Sequence, residues 1–235
     1  MTKNQPQAAS IFEEGQVLLI DKPLRRTSFD VVRKIRNLVR VKKVGHAGTL
    51  DPLASGLLII CTGKFTKRIH EYIAQEKEYT GTFTLGATTP TYDLESRPEN
   101  FKPVDDIKAE QIRNTALQFT GDLLQVPPAH SAIKQDGKRV YELARQGKEV
   151  VLEPRKIKIR EFEITGMDMP VVHFRVVCST GTYIRSLAHD FGAALGCGAF
   201  LSNLCRTRIG DFHLKDAMSL EAFEQKVKNG YSTKG

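Results

Sequence analysis

The apolar residues of this 235-residue chain recur with two different periods, and no other feature constrains its fold as strongly. Between residues 77 and 86 they alternate with threonines, which is the two-residue period of a half-buried strand. In the segments that follow Ser28 and Thr182 they recur with the spacing of an α-helix. Since strands and helices alternate along the chain, the sequence predicts an α+β fold built on a mixed β-sheet.

The same patterns locate the individual elements. We predict strands at residues 17–20, 57–62, 77–86, 156–164, 171–178 and 201–212. We predict helices that begin at Ser28 and Leu220, and helices over residues 107–119, 138–146 and 182–195. Ser28 is the expected N-cap of the first helix, and its expected apolar face is formed by Phe29, Val32, Ile35 and Val39. Residues 1–14 are expected to be a flexible segment, and residues 15–235 a single domain.

The charge of the chain favours a polyanionic partner such as nucleic acid. Its 35 Lys and Arg outnumber 27 Asp and Glu, which gives a net charge of +8. No stretch approaches the roughly 18 apolar residues of a membrane helix, and the polar, acidic start is unlike a signal peptide, so we expect a cytoplasmic protein. The four cysteines are scattered without a CxxC pair, so we expect reduced, mostly buried thiols and no metal site.

One loop concentrates residues that could carry chemistry. Residues 45–56 contain three glycines together with His46 and Asp51, and such a loop lets the backbone approach a ligand closely. The spacing alone also has a simpler interpretation, because Asp51 followed by Pro52 is a common helix start with Asp as the N-cap. The local pattern therefore leaves open whether Asp51 is catalytic or structural.

A resemblance favours the catalytic interpretation. The segment GHAGTLDPLASGLL, residues 45–58, resembles the catalytic loop of the TruB family, the tRNA pseudouridine-55 synthases that act in the T-loop. Further segments resemble other family motifs in the family's order: Asp21-Lys22-Pro23 with Thr27-Ser28, residues 77–86 with Tyr79, residues 125–145, and residues 178–187 with Arg185. Because this agreement runs from Asp21 to about Phe212, the resemblance covers most of the chain.

The resemblance implies a fold and a set of site residues. The fold is that of the pseudouridine synthases, with a mixed, mostly antiparallel β-sheet flanked by helices around a catalytic cleft. Asp51 is the expected catalytic carboxylate, Arg185 its ion-pair partner, and Tyr79 the ring that stacks on the target base. Three further residues match family positions that line the substrate site: His46, Tyr183 and Leu204.

The implied reaction fits these residue types. Conversion of uridine to pseudouridine breaks the N1–C1′ bond, joins C5 to C1′ and releases the C5 proton, so it needs no redox step and no cofactor. A carboxylate can attack C1′ or C6 or remove a proton at C2′, and the sequence leaves these routes open. Burial raises the pKa of a carboxylate, and a neighbouring arginine offsets this. Without the resemblance, Arg185 is equally consistent with a solvated helix charge, and Tyr79 with a core aromatic.

Recognition of RNA requires both stacking and charge. Extruding the target base costs a few kcal/mol, and stacking on Tyr79 returns about 1–3 kcal/mol. Phosphate contacts supply the rest, and the Arg/Lys-rich stretch from Lys22 to Lys43 is the best candidate for them. Part of this stretch is also consistent with the solvated face of a helix.

We therefore expect a stand-alone, monomeric synthase that isomerises uridine 55 in the T-arm of tRNA. Two alternatives stay open: a guide-RNA-dependent catalytic subunit, and a non-catalytic module that binds or folds tRNA. Arg25 and Ser96 stand where the family usually has glycine, so the local backbone at these positions is an open question. Many relatives continue into a C-terminal PUA-type RNA-binding domain, which this sequence is expected to lack.

Overall fold

The computed structural model describes residues 11–129, 131, 134–135, 138–139 and 152–231. Its strands are β1 (Val17–Lys22), β2 (Val44–His46), β3 (Ala54–Thr62), β4 (Lys77–Leu85), β5 (Gly121–Gln125), β6 (Lys134–Gln135), β7 (Lys138–Arg139), β8 (Arg155–Asp168), β9 (Val171–Cys178), β10 (Ala199–Ile209), β11 (Phe212–His213) and β12 (Met218–Ser219). Its α-helices are α1 (Ser28–Val39), α2 (Ile69–Ile73), α3 (Ala109–Gln118), α4 (Ile184–Ala194) and α5 (Leu220–Lys228).

Contacts divide the chain into two compact units. The first unit comprises Met1–Tyr79 and Cys205–Gly235, and the second comprises Thr80–Leu204. The boundaries fall within β4 and β10, so each of these strands contributes residues to both units. The single domain expected for residues 15–235 stays a prediction.

The first unit is a sheet covered by helices α1 and α5. Its strand order is β12-β1-β3-β10, with β2 beside β3 and β11 beside β10. The β1–β12 pair is parallel, whereas the pairs β1–β3, β2–β3 and β10–β11 are antiparallel. Val31 and Ile35 of α1 and Phe223 of α5 pack with Ile20 and Leu58 of the sheet in one buried cluster. This packing fixes the start of α1 relative to the strands on either side of residues 47–53.

The second unit positions α4 through an aromatic core. Its strand order is β10-β4-β9-β8-β5, and β8 pairs antiparallel with both β9 and β5. The ring centroids of Phe83 and Phe174 lie 4.2 Å apart, and those of Phe162 and Phe191 lie 5.6 Å apart. Since Phe191 belongs to α4, these ring contacts fix the helix that also carries Arg185.

Most element predictions are confirmed. The α+β class and the mixed, mostly antiparallel sheet are confirmed, and every predicted strand is present, with β9 matching residues 171–178. Four predicted helices are present, and the bounds of those predicted over 107–119 and 182–195 shift by no more than two residues. Of the helix predicted over residues 138–146, residues 138–139 form β7 instead, and residues 140–146 lie outside the described residues.

Two predictions for the start of α1 are wrong. The N-cap is Thr27, not Ser28: the Thr27 hydroxyl accepts the Asp30 N–H at 3.0 Å, and the Asp30 carboxylate accepts the Thr27 N–H at 3.0 Å. Phe29, predicted to face the core, is 58% exposed. The core face of the helix is formed instead by Val31, Val32, Ile35 and Val39.

Only the last four residues of the segment predicted to be flexible, residues 1–14, are described by the structure. Residues 11–14 form a helical turn in which Phe12 is fully buried. The ring centroid of Phe12 lies 4.8 Å from that of Tyr231 and 6.2 Å from that of Phe223. Residues 11–14 are therefore ordered because Phe12 completes the core of the first unit, whereas residues 1–10 lie outside the described residues.

Two further features concern membrane-spanning helices and cysteines. Within the described residues, none of the helices combines the length and the apolar character that crossing a membrane requires. Cys61, Cys178 and Cys197 are buried and Cys205 is partly exposed, which confirms that most of the cysteines are buried.

Candidate active site

Asp51 lies on a tight loop between β2 and β3 whose backbone is held at several points. The loop starts where the Ala47 N–H donates to the Ile59 carbonyl at 2.9 Å. The buried hydroxyl of Ser28 donates to the Leu50 carbonyl at 3.1 Å and accepts the Leu50 N–H at 2.9 Å. Both backbone groups of the residue before Asp51 are therefore satisfied by one side chain at the start of α1.

Arg25 supplies a further anchor through its backbone. Its N–H donates to the Pro52 carbonyl at 2.7 Å. Its φ is +60°, the left-handed region that favours glycine, although Arg25 carries a side chain. The backbone at this position therefore adopts the conformation that the family's usual glycine would adopt with less strain.

Arg206, a residue of β10, stabilises the loop that carries Asp51 through side-chain hydrogen bonds. Its side chain is buried, its Nε donates to the Leu57 carbonyl at 2.8 Å, and its Nη2 donates to the Gly48 carbonyl at 3.1 Å. These two carbonyls lie on either side of Asp51 in the chain. A Cβ at Gly56, whose φ is +101°, would lie 2.4 Å from the Arg206 carbonyl oxygen, so this close approach requires glycine.

Lys22 is a buried cation near Asp51. Its side chain has no exposed surface, and its Nζ donates to the Pro23 carbonyl at 3.0 Å and to the Arg26 carbonyl at 2.6 Å. Burial lowers its pKa from 10.5 to about 8, while the negative charge of Asp51 acts in the opposite direction and Arg206 lowers the pKa further. The ammonium therefore closes the turn over residues 23–26 and contributes positive potential at Asp51.

His46 enters the same region from β2. Burial lowers the pKa of its imidazole, and the nearby Arg206 guanidinium lowers it further. Its Nδ1 is buried, and no hydrogen-bond partner for it lies within the described residues. A neutral imidazole suits hydrogen bonding to a base better than attraction to a phosphate.

Arg185 occupies the first turn of α4 in the second unit. Arg185 and Asp93 each have side chains only 5% exposed, with Arg185 Nε 3.8 Å from Asp93 Oδ2. Arg185 Nη1 also donates to the Thr91 carbonyl at 3.3 Å. Asp93 in turn accepts the Glu95 N–H at 3.0 Å. The loop over residues 91–95 therefore orients the Arg185 guanidinium by both charge and hydrogen bonding.

A ring stack holds this loop against α4. The ring of Tyr92 lies 4.1 Å from that of His189, one turn beyond Arg185, with an interplanar angle of 18°. Tyr92 has a φ of +64°, and its carbonyl accepts the Leu201 N–H at 2.9 Å. Ser96, which replaces a usual glycine, accepts the Thr91 N–H at 3.1 Å through its hydroxyl. The side chain of Ser96 thus stabilises the turn that presents Asp93.

The start of α4 is tied to the end of β5. The Gln125 side chain accepts the Tyr183 N–H at 2.8 Å and donates to the Tyr183 carbonyl at 3.1 Å. The Ser186 hydroxyl donates to the Val126 carbonyl at 2.8 Å. Tyr183 is the N-cap residue of α4, so these bonds fix the first turn of the helix, which carries Arg185.

Comparison with family models identifies the chain. A model described as TruB family pseudouridylate synthase (N terminal domain) matches residues 36–184, and one described as tRNA pseudouridylate synthase B C-terminal domain matches residues 185–233. The chain belongs to the TruB family. Its expected catalytic loop, with Asp51, lies inside the first match, and Arg185 is the first residue of the second.

Similar TruB proteins extend over nearly the same length. A protein of Flavobacterium johnsoniae named tRNA pseudouridine synthase B is 54% identical over 222 residues, which cover 92% of this chain and 97% of the relative. A protein of the same name from Chlorobaculum tepidum is 46% identical over 234 residues, which cover 97% of this chain and 98% of the relative.

Solved structures resemble this TruB chain as well. A chain in the crystal structure of a Cbf5-Nop10-Gar1 complex is 29% identical with a TM-score of 0.74, and the match covers 96% of this chain and 59% of that one. A chain in the structure of an H/ACA RNP bound to a substrate RNA containing 2′-deoxyuridine is 27% identical with a TM-score of 0.70. That match covers 95% of this chain and 58% of that chain, so the TruB chain spans well under two thirds of either solved chain.

The site residues predicted for this TruB chain divide between the units. Lys22, His46, Asp51 and Tyr79 belong to the first, and Tyr183, Arg185 and Leu204 to the second. Tyr79 and Leu204 are both buried. Sequence reasoning missed Arg206 and Asp93, because neither lies in a pattern that distinguishes it from an ordinary strand arginine or loop aspartate. Within the described residues, no group of three or more His, Cys, Asp and Glu side chains could hold a metal ion.

Proposed function

We propose that this TruB chain isomerises uridine 55 in the T-loop of tRNA to pseudouridine, with Asp51 as the catalytic carboxylate. The observation that carries the proposal is the 54% identity to a protein named tRNA pseudouridine synthase B, across 97% of that protein's length. The two family-model matches run without a gap from residue 36 to residue 233, so the support does not rest on one motif.

Asp51 is proposed to act from a preorganised position. Its loop is fixed by Ser28 on one side and by Arg206 on the other, and both side chains are buried. A carboxylate carried on such a fixed backbone needs little reorganisation of the loop when the nucleoside arrives, which lowers the entropic part of the barrier. The carboxylate attacks C1′ or C6, or removes the C2′ proton, and each route requires it to be ionised.

The remaining residues are proposed to support that carboxylate and the extruded base. Arg185 supplies the cation that favours the ionised form of Asp51, a role for which a buried guanidinium oriented by Asp93 is well suited. Tyr79 stacks on the base, while His46, Tyr183 and Leu204 line its binding site. Lys22 contributes through its charge, because its Nζ is already bonded to two backbone carbonyls.

The chemistry conserves atoms within the RNA. The N1–C1′ bond breaks, the base turns, C5 bonds to C1′, the proton on C5 leaves to solvent, and N1 takes up a proton. The product differs from the substrate only in connectivity, so the protein needs to supply a nucleophile or base and a site that excludes water. We further propose that the protein works as a monomer in the cytoplasm.

Release of tritium from uridine C5 tests the proposal. A T-arm stem-loop labelled at C5 of the target uridine is incubated with the protein alone, and tritium in water is measured against time. We expect release by the native protein, and a loss of more than about 10³-fold in Asp51→Asn with tRNA affinity within about threefold of native. Asp106→Asn, which removes an exposed carboxylate of the second unit, serves as the matched control and should release tritium at the native rate.

The same assay separates the alternatives. The likeness to a chain of an H/ACA RNP bound to a substrate RNA is the observation behind the second candidate, a guide-RNA-dependent subunit. Release that occurs only after a guide RNA is added would support that candidate and contradict the stand-alone enzyme. Tight binding of the T-arm without release under either condition would instead indicate a non-catalytic module.

A further inference from the structure

The start of α1 exposes apolar surface that the fold does not use. Phe29 is 58% exposed and Leu24 is 50% exposed, although both lie in the first unit close to its core. The core contacts of α1 are made by residues such as Val31 and Ile35. More than half of the Phe29 side chain is therefore accessible to a ligand, and burying it against an apolar surface would be favourable.

Positive charge surrounds these two side chains. Arg25 and Arg26 lie between them in the chain, and Arg33 follows Phe29 by one helical turn on the same face. Arg33 is partly neutralised by Asp30, with Nη2 2.6 Å from the carboxylate. Within the described part of the chain, no carboxylate forms an ion pair with Arg25 or Arg26. We call the residues Leu24, Arg25, Arg26, Phe29 and Arg33 the Phe29 surface.

The Phe29 surface is bonded to the loop that carries Asp51. Ser28, the neighbour of Phe29, makes both of its hydrogen bonds to Leu50. The Arg25 N–H donates to the carbonyl of Pro52. The residues on both sides of Asp51 are therefore bonded to the segment that presents the exposed ring and the two arginines, all within the first unit.

We propose that the Phe29 surface binds the RNA strand next to the target nucleotide, with one base stacked on the Phe29 ring and its phosphates on Arg25 and Arg26. An exposed aromatic ring beside arginines is the combination that binds single-stranded nucleic acid. Extrusion of the target removes a stacking partner from its neighbours in the strand. The Phe29 ring, whose neighbour Ser28 is hydrogen-bonded to the Asp51 loop, replaces that partner. This inference rests on the proposed RNA-modifying function and adds to it a second stacking site besides Tyr79.

Substitution of the ring gives the first test. Affinity for the T-arm stem-loop is measured for the full chain with Phe29→Ala and with Phe29→Trp. We expect Phe29→Ala to weaken binding about 5- to 50-fold and Phe29→Trp to stay within about twofold of native, because stacking requires only an aromatic face. Phe101→Ala, which removes an exposed phenylalanine of the second unit, is the control and should bind as native does.

A double-mutant cycle, which combines a substitution in the protein with a replacement in the RNA, gives the second test. Each nucleotide flanking the target is replaced in turn by an abasic nucleotide. At one position we expect the abasic replacement to weaken binding to the native protein by the same factor as the Phe29→Ala substitution does. The same replacement should not weaken binding to the Phe29→Ala variant any further. A merely structural role for Phe29 predicts additive losses at every position, and this outcome would overturn the stacking assignment.

Arg25→Gly tests the charge separately from the fold. Glycine adopts the +60° φ of this position without strain, so the variant should fold at least as well as native. We expect it to weaken T-arm binding about 3- to 10-fold at low salt and to reduce the slope of log affinity against log salt by about 0.7 to 0.9. An unchanged slope would contradict a phosphate contact at Arg25.

These outcomes distinguish failure of the inference from failure of the proposed function. If native protein releases tritium and Phe29→Ala binds and reacts as native does, the Phe29 surface is not an RNA site although the enzyme is a synthase. If native protein binds the T-arm but releases no tritium, the proposed function fails, and the abasic cycle still decides whether Phe29 stacks on RNA. Tight binding of a protein rather than RNA at this surface, abolished by Phe29→Ala while T-arm affinity is unchanged, would also overturn the inference.

Discussion

Burial of the Lys22 side chain makes the stability of the folded chain depend on pH. Its pKa lies at about 8 in the folded chain, compared with 10.5 for an unperturbed lysine. Between these two values the unfolded chain binds more protons than the folded chain, so the free energy of unfolding rises as pH increases through this window. At most about 3 kcal/mol is expected, from about 1.36 kcal/mol for each pKa unit.

Urea unfolding of native protein and Lys22→Met measures this effect. The difference in unfolding free energy, native minus variant, should increase between pH 8 and pH 10.5 and be flat between pH 6 and pH 7.5. Groups common to both proteins cancel, including the buried Cys61, whose pKa of about 11 acts in the opposite direction. Lys64→Met, which removes an exposed lysine, should show no such increase. A flat difference for Lys22→Met would mean that the ammonium is not destabilised by burial.

Asp93, which the sequence did not identify, is expected to position Arg185 for the proposed reaction. Asp93→Asn keeps the shape of the side chain but leaves the buried Arg185 without this carboxylate. We expect the single-turnover rate to fall about 10- to 100-fold with T-arm affinity nearly unchanged, and stability to fall by about 3 kcal/mol. Glu99→Gln, which removes an exposed carboxylate of the same long loop, is the control. Equal losses of rate and affinity would instead indicate general damage to the second unit.

At the scale of elements, the Ser28–Leu50 bonds join α1 to the loop of Asp51. Ser28→Ala leaves both buried backbone groups of Leu50 without their partner, which should cost about 1–3 kcal/mol of stability and lower the single-turnover rate. Thr27→Ala removes the neighbouring N-cap, costs about 1 kcal/mol, and does not touch the loop. The comparison is made at a temperature where both variants are fully folded. A rate for Ser28→Ala as high as that for Thr27→Ala would show that the loop needs no anchor.

The periodicity of apolar residues predicted which helices and strands form, and it predicted less accurately where they begin and end. The burial of Val32, Ile35 and Val39 follows from helical spacing, and α1 confirms it. Phe29 fits the same spacing but is exposed. A helical side chain points back toward the helix N-terminus, so one in the first turn projects beyond the surface against which the helix packs. The Ser28–Leu50 bonds were not predictable, because they join residues 22 apart in the chain.

At the scale of the whole molecule, the order of the motifs predicted the family and composition did not. The motif resemblance ran across most of the chain, and the family models match the same region. The motifs did not predict burial or contacts between residues that are distant in the chain. Arg206 donates a hydrogen bond to the Gly48 carbonyl, 158 residues away, and no local sequence pattern indicates that contact. The sequence therefore predicted the family, whereas the supporting contacts required the fold, and the roles of the site residues stay a prediction.

The net charge of +8 belongs to the same scale and predicts how RNA binding responds to salt. Each phosphate neutralised by Arg or Lys contributes about −0.7 to −0.9 to the slope of log affinity against log salt. With four to five such contacts, affinity for the T-arm should fall about 10²-fold between 50 and 200 mM monovalent salt. The single-turnover rate at saturating protein should change little, because the chemical step occurs after the phosphates are bound. A binding affinity that is independent of salt would show that base contacts, not the excess of Lys and Arg, hold the RNA.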